Sequence, residues 1–317
     1  MDDLVAEVLQ GSVKAMARLI TLVENEDSRA LQIMGAIYRH TGNAYVLGIT
    51  GSPGTGKSTL TDKITTILRE RQQTVGVIAV DPSSPFTGGA LLGDRIRMQR
   101  SAGDAEVFIR SMSTRGNLGG LARTTGDVVK IMDAFGKDWV IVETVGVGQD
   151  EVEIAKTADT TVVVLAPGLG DAIQSMKAGV MEIADLYVVN KADRSGADEL
   201  LNEVNFRVEQ DAQIRKALWK PPVVKTIALE NQGTDSLMEA IEKHRSFLRQ
   251  SGRLRRKRRE KTRQETLALL TEEISRNVLN KVLGNGRFDA LVDEIVAHKK
   301  DPYTSVEEIV RTIFPEE

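Results

Sequence analysis

Six short apolar runs constrain the fold of this chain more than any other feature: YVLGI from Tyr45, TVGVIAV from Thr74, WVIVET from Trp139, TVVVLAP from Thr161, LYVVN from Leu186 and PVVKTIAL from Pro222. Each is of strand length, apolar on both faces, and separated from the next by a segment long enough for a crossover helix. That alternation predicts an α/β fold with a mostly parallel central sheet flanked by helices. Before Tyr45 the apolar positions follow a helical rhythm, through Leu4, Val8, Val13, Met16, Ala17, Ile20, Ile33 and Ile37. After about residue 248 that rhythm returns at Leu267, Leu270, Ile274, Val278, Leu291 and Ile295. A last helix is expected to start at Ser305, whose spacing to Glu308 fits a capping box. The reading is therefore a helical extension over 1–41, an α/β domain over 42–248 and a helical arm over 249–317.

The run from Tyr45 leads directly into Gly51, Ser52, Pro53, Gly54, Thr55, Gly56, Lys57, Ser58 and Thr59, and a helix-permissive stretch follows to about Arg71. Strand, G-x-x-x-x-G-K-[ST] and helix in that order make a phosphate loop, and with it a P-loop NTPase domain. Glycines let backbone N–H groups wrap phosphate oxygens, and the helix start adds the positive end of its dipole. Lys57 is placed to reach the β- and γ-phosphates, and Ser58 to offer a hydroxyl to Mg²⁺.

Asn190, Lys191 and Asp193 form N-K-x-D immediately after the run LYVVN. A carboxylate at Asp193 accepts from both N1–H and the exocyclic amine of guanine, which adenine does not offer, so GTP and GDP are the expected nucleotides. The run WVIVET ends on Glu143, where many P-loop proteins carry an aspartate beside the magnesium, and Gly146 is spaced to sense the γ-phosphate through its N–H. Gln149 is a candidate for positioning water, although two residues separate it from Gly146 where Ras-like loops have none. Asp81 closes the second run and Asp94 lies in the following loop, so with Ser58 and Glu143 they compose an oxygen shell for the metal.

GSPGTGKST, AVDPSSPFTGGALLGDRIRM, FIRSMSTRGNLGGLA, ETVGVGQDEVEIA and PGLGDAIQSMKAGVMEIADLYVVNKAD, taken in order, resemble the MeaB/ArgK family of methylmalonyl-CoA mutase-associated GTPases. The resemblance implies a homodimeric G-protein chaperone that protects and reloads an adenosylcobalamin-dependent acyl-CoA mutase. It also implies a metal shell at Ser58, Asp81, Asp94 and Glu143, and guanine contacts at Asp193 and in the loop Ala228, Leu229 and Glu230. Gly168 to Lys177 corresponds to a third switch, which makes Lys177, with Arg97, a candidate for steadying transition-state charge. Ser113 and Asn117 stand where many members have Ala and His, outside the nucleotide constellation.

Composition narrows the alternatives. The 317 residues contain no cysteine and three scattered histidines, so the ligands that a nickel-type metallochaperone needs are missing. A GTP-dependent small-molecule kinase would need an acceptor pocket and a base that no motif supplies. The opening MDDLVAEVLQ carries no basic-then-apolar signal and no run approaches a membrane span, so a cytoplasmic location and no membrane are expected. The basic run Arg253 to Arg263 has no aromatic residue for base stacking, and net charge is -3, which argues for a solvated face or subunit contact rather than a nucleic-acid surface.

Overall fold

The computed structural model describes residues 2–81, 103–113, 118–144, 150–168, 180–283 and 287–313. Two compact units divide the chain, Met1–Lys257 and Arg258–Glu317. The first is built on a sheet of seven described strands: β1 (Tyr45–Thr50), β2 (Val75–Asp81), β3 (Val107–Ser113), β4 (Trp139–Glu143), β5 (Thr160–Leu165), β6 (Leu186–Asn190) and β7 (Val223–Thr226). Their order is β3-β2-β4-β1-β5-β6-β7, and every pairing is parallel.

Alternate side chains leave each strand on opposite faces, and both faces are covered. On one face Val46, Ile78, Val80, Val140 and Val142 pack with three N-terminal helices, α1 (Asp2–Leu9), α2 (Val13–Glu24) and α3 (Ala30–Tyr38). Residues of α5 (Leu118–Ala134) and α6 (Asp150–Thr157) join the same cluster. Val163, Leu165, Tyr187 and Val189 meet α7 (Val180–Ile183) and α8 (Ala197–Arg215). On the other face Leu47, Ile49, Val77, Ile141, Val162 and Val188 are covered by α4 (Lys57–Glu70) and α9 (Thr234–Gln250).

The structure adds two details that the sequence pattern does not contain. β3 is a strand that no apolar run announces, because Arg110, Ser111 and Ser113 interrupt it. It pairs only with β2, and the Arg110 Nε donates to Glu24 of α2 at 3.1 Å, which accommodates a cation that an inner strand would not. In α2 the buried face is Ala15, Met16, Leu19, Ile20 and Val23, while Val13 is 48% exposed. Ser12 caps this helix by accepting from the Ala15 N–H at 3.3 Å, so Val13 belongs to the solvated first turn.

A buried carboxylate ties the N-terminal helices to the sheet. Asp133, near the end of α5, accepts from the backbone N–H groups of Gly42, Asn43 and Ala44 at 2.6, 3.1 and 2.9 Å. Those residues form the connection into β1. In Asp133→Ala the Ala44 N–H, the buried one of the three donors, loses this acceptor, while those of the exposed Gly42 and Asn43 can turn to water. A loss of about 1–3 kcal/mol is expected, read as a lower urea midpoint at unchanged slope; an unmoved midpoint would refute the tie.

A second network lies at the amino-terminal edge of the sheet. Tyr45 hydroxyl meets Thr160 Oγ1, which lies 2.7 Å from His244 Nδ1, and His244 Nε2 stands 3.4 Å from Asp185. Burial pushes the His244 imidazole below its ordinary value of 6.5, while the Asp185 carboxylate raises it in part and Lys257 lowers it. Because the unfolded chain then takes up the proton first, this histidine contributes stability that is present above the unfolded value of 6.5 and is lost as pH falls below it and through the lower folded value. The urea midpoint is therefore expected to decline between about pH 7 and pH 5, and His244→Gln to flatten the decline. An unchanged pH profile in the variant would contradict this assignment.

The second unit holds the rest of α10 (Arg253–Leu283) with α11 (Arg287–Val296) and α12 (Pro302–Ile313). Here the expected capping box at Ser305 is overturned. Asp301 caps α12, accepting from the N–H groups of Tyr303 and Thr304 at 2.9 Å, with Pro302 at the first helical position where its missing N–H costs nothing. Ser305 is 2% exposed and bonds back to the Asp301 carbonyl inside the helix.

Candidate nucleotide-binding site

The carboxyl ends of β1, β4, β6 and β7 bring together four separate sequence motifs. β1 delivers the chain at Thr50 into the loop 51–56, and α4 begins at Lys57. Two glycines in this loop are sterically required. Gly51 has φ +138° and a Cβ there would lie 2.1 Å from the Val164 carbonyl oxygen of β5. Gly56 has φ +97° and a Cβ would meet Asn190 Nδ2 at 2.3 Å. An L side chain would therefore push the loop away from both its neighbours.

Lys57 sits in the first turn of α4 with 6% exposure, its ammonium donating to the carbonyls of Gly51 and Ser52 at 2.7 and 3.1 Å. Thr55 Oγ1 donates to the Ser52 carbonyl at 2.9 Å, closing the loop on itself. The loop thus encircles a buried cation next to a helix start, where backbone N–H groups and the helix dipole both favour an anion.

Glu143, the last residue of β4, faces this helix and is 6% exposed. Its carboxylate accepts from Ser58 Oγ at 2.5 Å and from Thr61 Oγ1 at 2.9 Å. Ser58 and Thr61 lie three apart, on one side of α4, so one helical turn grips both carboxylate oxygens. Thr61 lies outside the G-x-x-x-x-G-K-[ST] motif, and its one signal in the sequence is the i,i+3 hydroxyl pair that it makes with Ser58 behind the lysine.

Asn190 is the joint of the site. It is 2% exposed, and its Nδ2 donates to the Thr55 carbonyl at 2.8 Å. Its Oδ1 accepts from Thr226 Oγ1 at 3.0 Å and from the Ala228 N–H at 3.1 Å. One amide therefore binds the phosphate loop, the end of β6 and the turn Ala228–Glu230 to each other. Lys191 adopts φ +58° and donates from Nζ to the Gly54 carbonyl at 2.6 Å, a second strap across the loop. Asp193 is exposed beyond it, and Leu229 is 83% exposed on the turn. Pro53 and Gly54 are exposed at the loop tip, Thr59 is half-buried on α4, and Glu230 accepts from Gln232 Nε2 at 2.9 Å.

Not every predicted site residue falls within the described part of the chain. Asp94, Arg97, Gly146, Gln149 and Lys177 lie outside the described residues. Asp81 is the last residue of β2, two beyond Ala79, which is in register with Glu143. Among the described residues no cluster of three or more His, Cys, Asp or Glu stands ready to hold a metal. Ser58 and Glu143 nonetheless present a hydroxyl and a carboxylate side by side, the oxygen chemistry that a hard divalent cation takes.

The family model for the methylmalonyl-CoA mutase-associated GTPase MeaB matches residues 16–283. The chain belongs to the MeaB family. A relative in Pyrococcus abyssi is 50% identical over 315 residues, covering 99% of this chain and 97% of its own. The GTPase ArgK of Escherichia coli is 37% identical over 286 residues, covering 88% of this chain and 85% of that one. A solved structure described as a LAO/AO transport system kinase superposes with a TM-score of 0.70 at 30% identity, covering 98% and 97% of the two chains. As a MeaB-family member the protein is a P-loop GTPase, and guanine nucleotide is what its phosphate loop holds. The seven parallel strands and the flanking helices agree with the architecture expected from the apolar runs.

Proposed function

We propose that this GTPase is a G-protein chaperone that protects an adenosylcobalamin-dependent acyl-CoA mutase, methylmalonyl-CoA mutase, and gates its cofactor loading. The observation that carries this reading is the match of residues 16–283 to a family defined by mutase association. A mouse relative, 32% identical over 277 residues, bears the name methylmalonic aciduria type A homolog, mitochondrial.

In this reading water attacks the γ-phosphate of GTP. Lys57 turns from its loop carbonyls to the β- and γ-oxygens, and the loop amides hold the phosphate chain against the start of α4. Ser58 and Glu143, with Asp81 and Asp94, would hold Mg²⁺, which when bound would offset charge developing on the phosphates. Gly146 reads the γ-phosphate, Gln149 orients the water, and Arg97 and Lys177 steady the transition state once the mutase presses on the segment 168–177. Asp193 and the turn Ala228–Glu230 read the base, with Asn190 bracing both.

The same reading makes the protein a cytoplasmic homodimer joined through the helical arm over 249–317. Exposed Leu267, Leu270 and Ile274, spaced along one side of α10, support that use of the arm. No helix among the described residues is long and apolar enough to cross a membrane.

The test is GTP turnover by the full chain with and without each candidate mutase, in apo and cobalamin-loaded forms. Slow turnover alone is expected, accelerated by the true partner within the roughly 10³–10⁵-fold that a supplied cation is worth. Rapid turnover that no mutase changes would refute the proposal. Transfer of label from γ-labelled GTP to an acceptor other than water would replace it with a kinase.

A further inference from the structure

The amino-terminal edge of the sheet, a full strand length from the phosphate loop, carries a cavity of about 590 Å³ within the first unit. Volumes of about 300–1,000 Å³ are those of small-molecule sites. Its wall comes from the residues just before β6, the segment between α8 and β7, the end of α9 and the first turns of α10.

The apolar side of the cavity is an aromatic cluster. The ring of Trp219 lies 4.7 Å from that of His244 and 5.1 Å from that of Phe247, centroid to centroid. Trp219 is anchored by its indole N–H, which donates to the Asp185 carbonyl at 2.8 Å. His244 is held by Thr160 and stands beside the Asp185 carboxylate. A platform whose rings are already fixed takes up a flat ligand at little cost in side-chain entropy.

The polar side is cationic. Lys216, Arg253, Arg256 and Lys257 line the cavity, and Asp185 is its one carboxylate. Lys257 spans 3.3 Å to that carboxylate and donates to the Asp159 carbonyl at 2.9 Å, so the acid is already engaged. Arg253 lies with its guanidinium 5.8 Å from the Phe247 ring centroid. Arg253, Arg256 and Lys257 fall on one side of α10 at spacings of three and four, where like charges repel and weaken a helix. The basic run that lacks aromatic residues in sequence thus acquires Trp219 and Phe247 in space.

We infer that this cavity is a second ligand site, separate from the GTP site, for a small organic phosphate carrying a planar ring, of the nucleotide class. The ring stacks on Trp219 and Phe247, and the phosphates take the guanidinium groups of Arg253 and Arg256, whose forked donors match phosphate oxygens, together with Lys216. No bond is made or broken there. The inference does not depend on the mutase reading.

Titration of the full chain with ADP tests it, after the phosphate loop has been filled with GDP. The chain has two tryptophans, and Trp139 is 1% exposed in the core, so Trp219 reports on the cavity. Saturable quenching of tryptophan fluorescence is expected, lost in Trp219→Phe. The double variant Arg253→Ala with Arg256→Ala is expected to weaken ADP binding at least tenfold by calorimetry, and Lys216→Ala to weaken it less, with basal GTP turnover and melting temperature unchanged. Pyrophosphate and adenosine, each carrying half of the recognised chemistry, are expected to bind more weakly than ADP. Absence of saturable ADP binding, binding indifferent to the arginine changes, equal binding of pyrophosphate, or tighter binding of a single-stranded oligonucleotide would each overturn the assignment.

Discussion

Lys57→Ala is expected to lower the GTP turnover number by about 10²–10³-fold, the loss that accompanies removal of one preorganised donor from a developing oxyanion. Lys57 is buried at 6% exposure, and the two carbonyls it touches belong to the loop that surrounds the phosphates. Its ammonium therefore has a short path from one set of oxygens to another, with little water to displace. Methionine of similar length at this position separates charge from packing: Lys57→Met keeps the stem but is expected to lose turnover as fully as alanine. Phosphate release followed over time at saturating GTP checks both variants. Turnover within about threefold of the parent in Lys57→Met would show that the charge is not used, since a single charge-assisted hydrogen bond is already worth more than that.

The second large effect is expected at Asp193. A carboxylate accepting two guanine N–H groups makes two charge-assisted hydrogen bonds of roughly 1.5–3 kcal/mol each, so Asp193→Ala is expected to weaken GDP binding by about 10²–10⁴-fold. Preference for guanine over adenine nucleotide falls with it, because the variant no longer rejects a base that lacks the matching donors. Asp193 lies exposed beyond Lys191, whose strap to Gly54 and the neighbouring Asn190 joint remain intact in the variant. Loop collapse is therefore not expected to account for the loss. Calorimetric titration with GDP and ADP, alongside thermal melting, distinguishes the two. Equal affinity for GDP in parent and variant would remove Asp193 from base recognition.

Much of the site was legible because its chemistry is local in sequence. Gly51 to Ser58 is a contiguous phosphate cradle between a strand and a helix, and any chain with that order must place amides, a lysine and a hydroxyl together. Asn190 to Asp193 was readable for the same reason. The parallel sheet was readable from strand runs apolar on both faces, since no half-exposed strand needs that pattern. What escaped was decided across the sheet. β3 carries Arg110 because α2 happens to bring Glu24 to an edge strand, a circumstance no local window contains. Thr61 is an ordinary helix residue until β4 sets Glu143 against it. Ser305 had the spacing of a cap, but Asp301 with Pro302 started the helix one turn earlier.

The amino-acid sequence by itself determined the fold class and the phosphate loop, and made a guanine nucleotide the expected ligand, because each rests on residues adjacent in the chain or on a period that the chain repeats. Only the tertiary structure decided that Asn190 would clamp the phosphate loop to the turn at Ala228, and that Trp219, Phe247 and the first turns of α10 would border an open cavity. Those arrangements join residues up to 135 positions apart. The physical reason is that hydrogen bonds and ring contacts act over a few ångströms in space, and it is the packing of helices on a parallel sheet that brings distant residues within that reach.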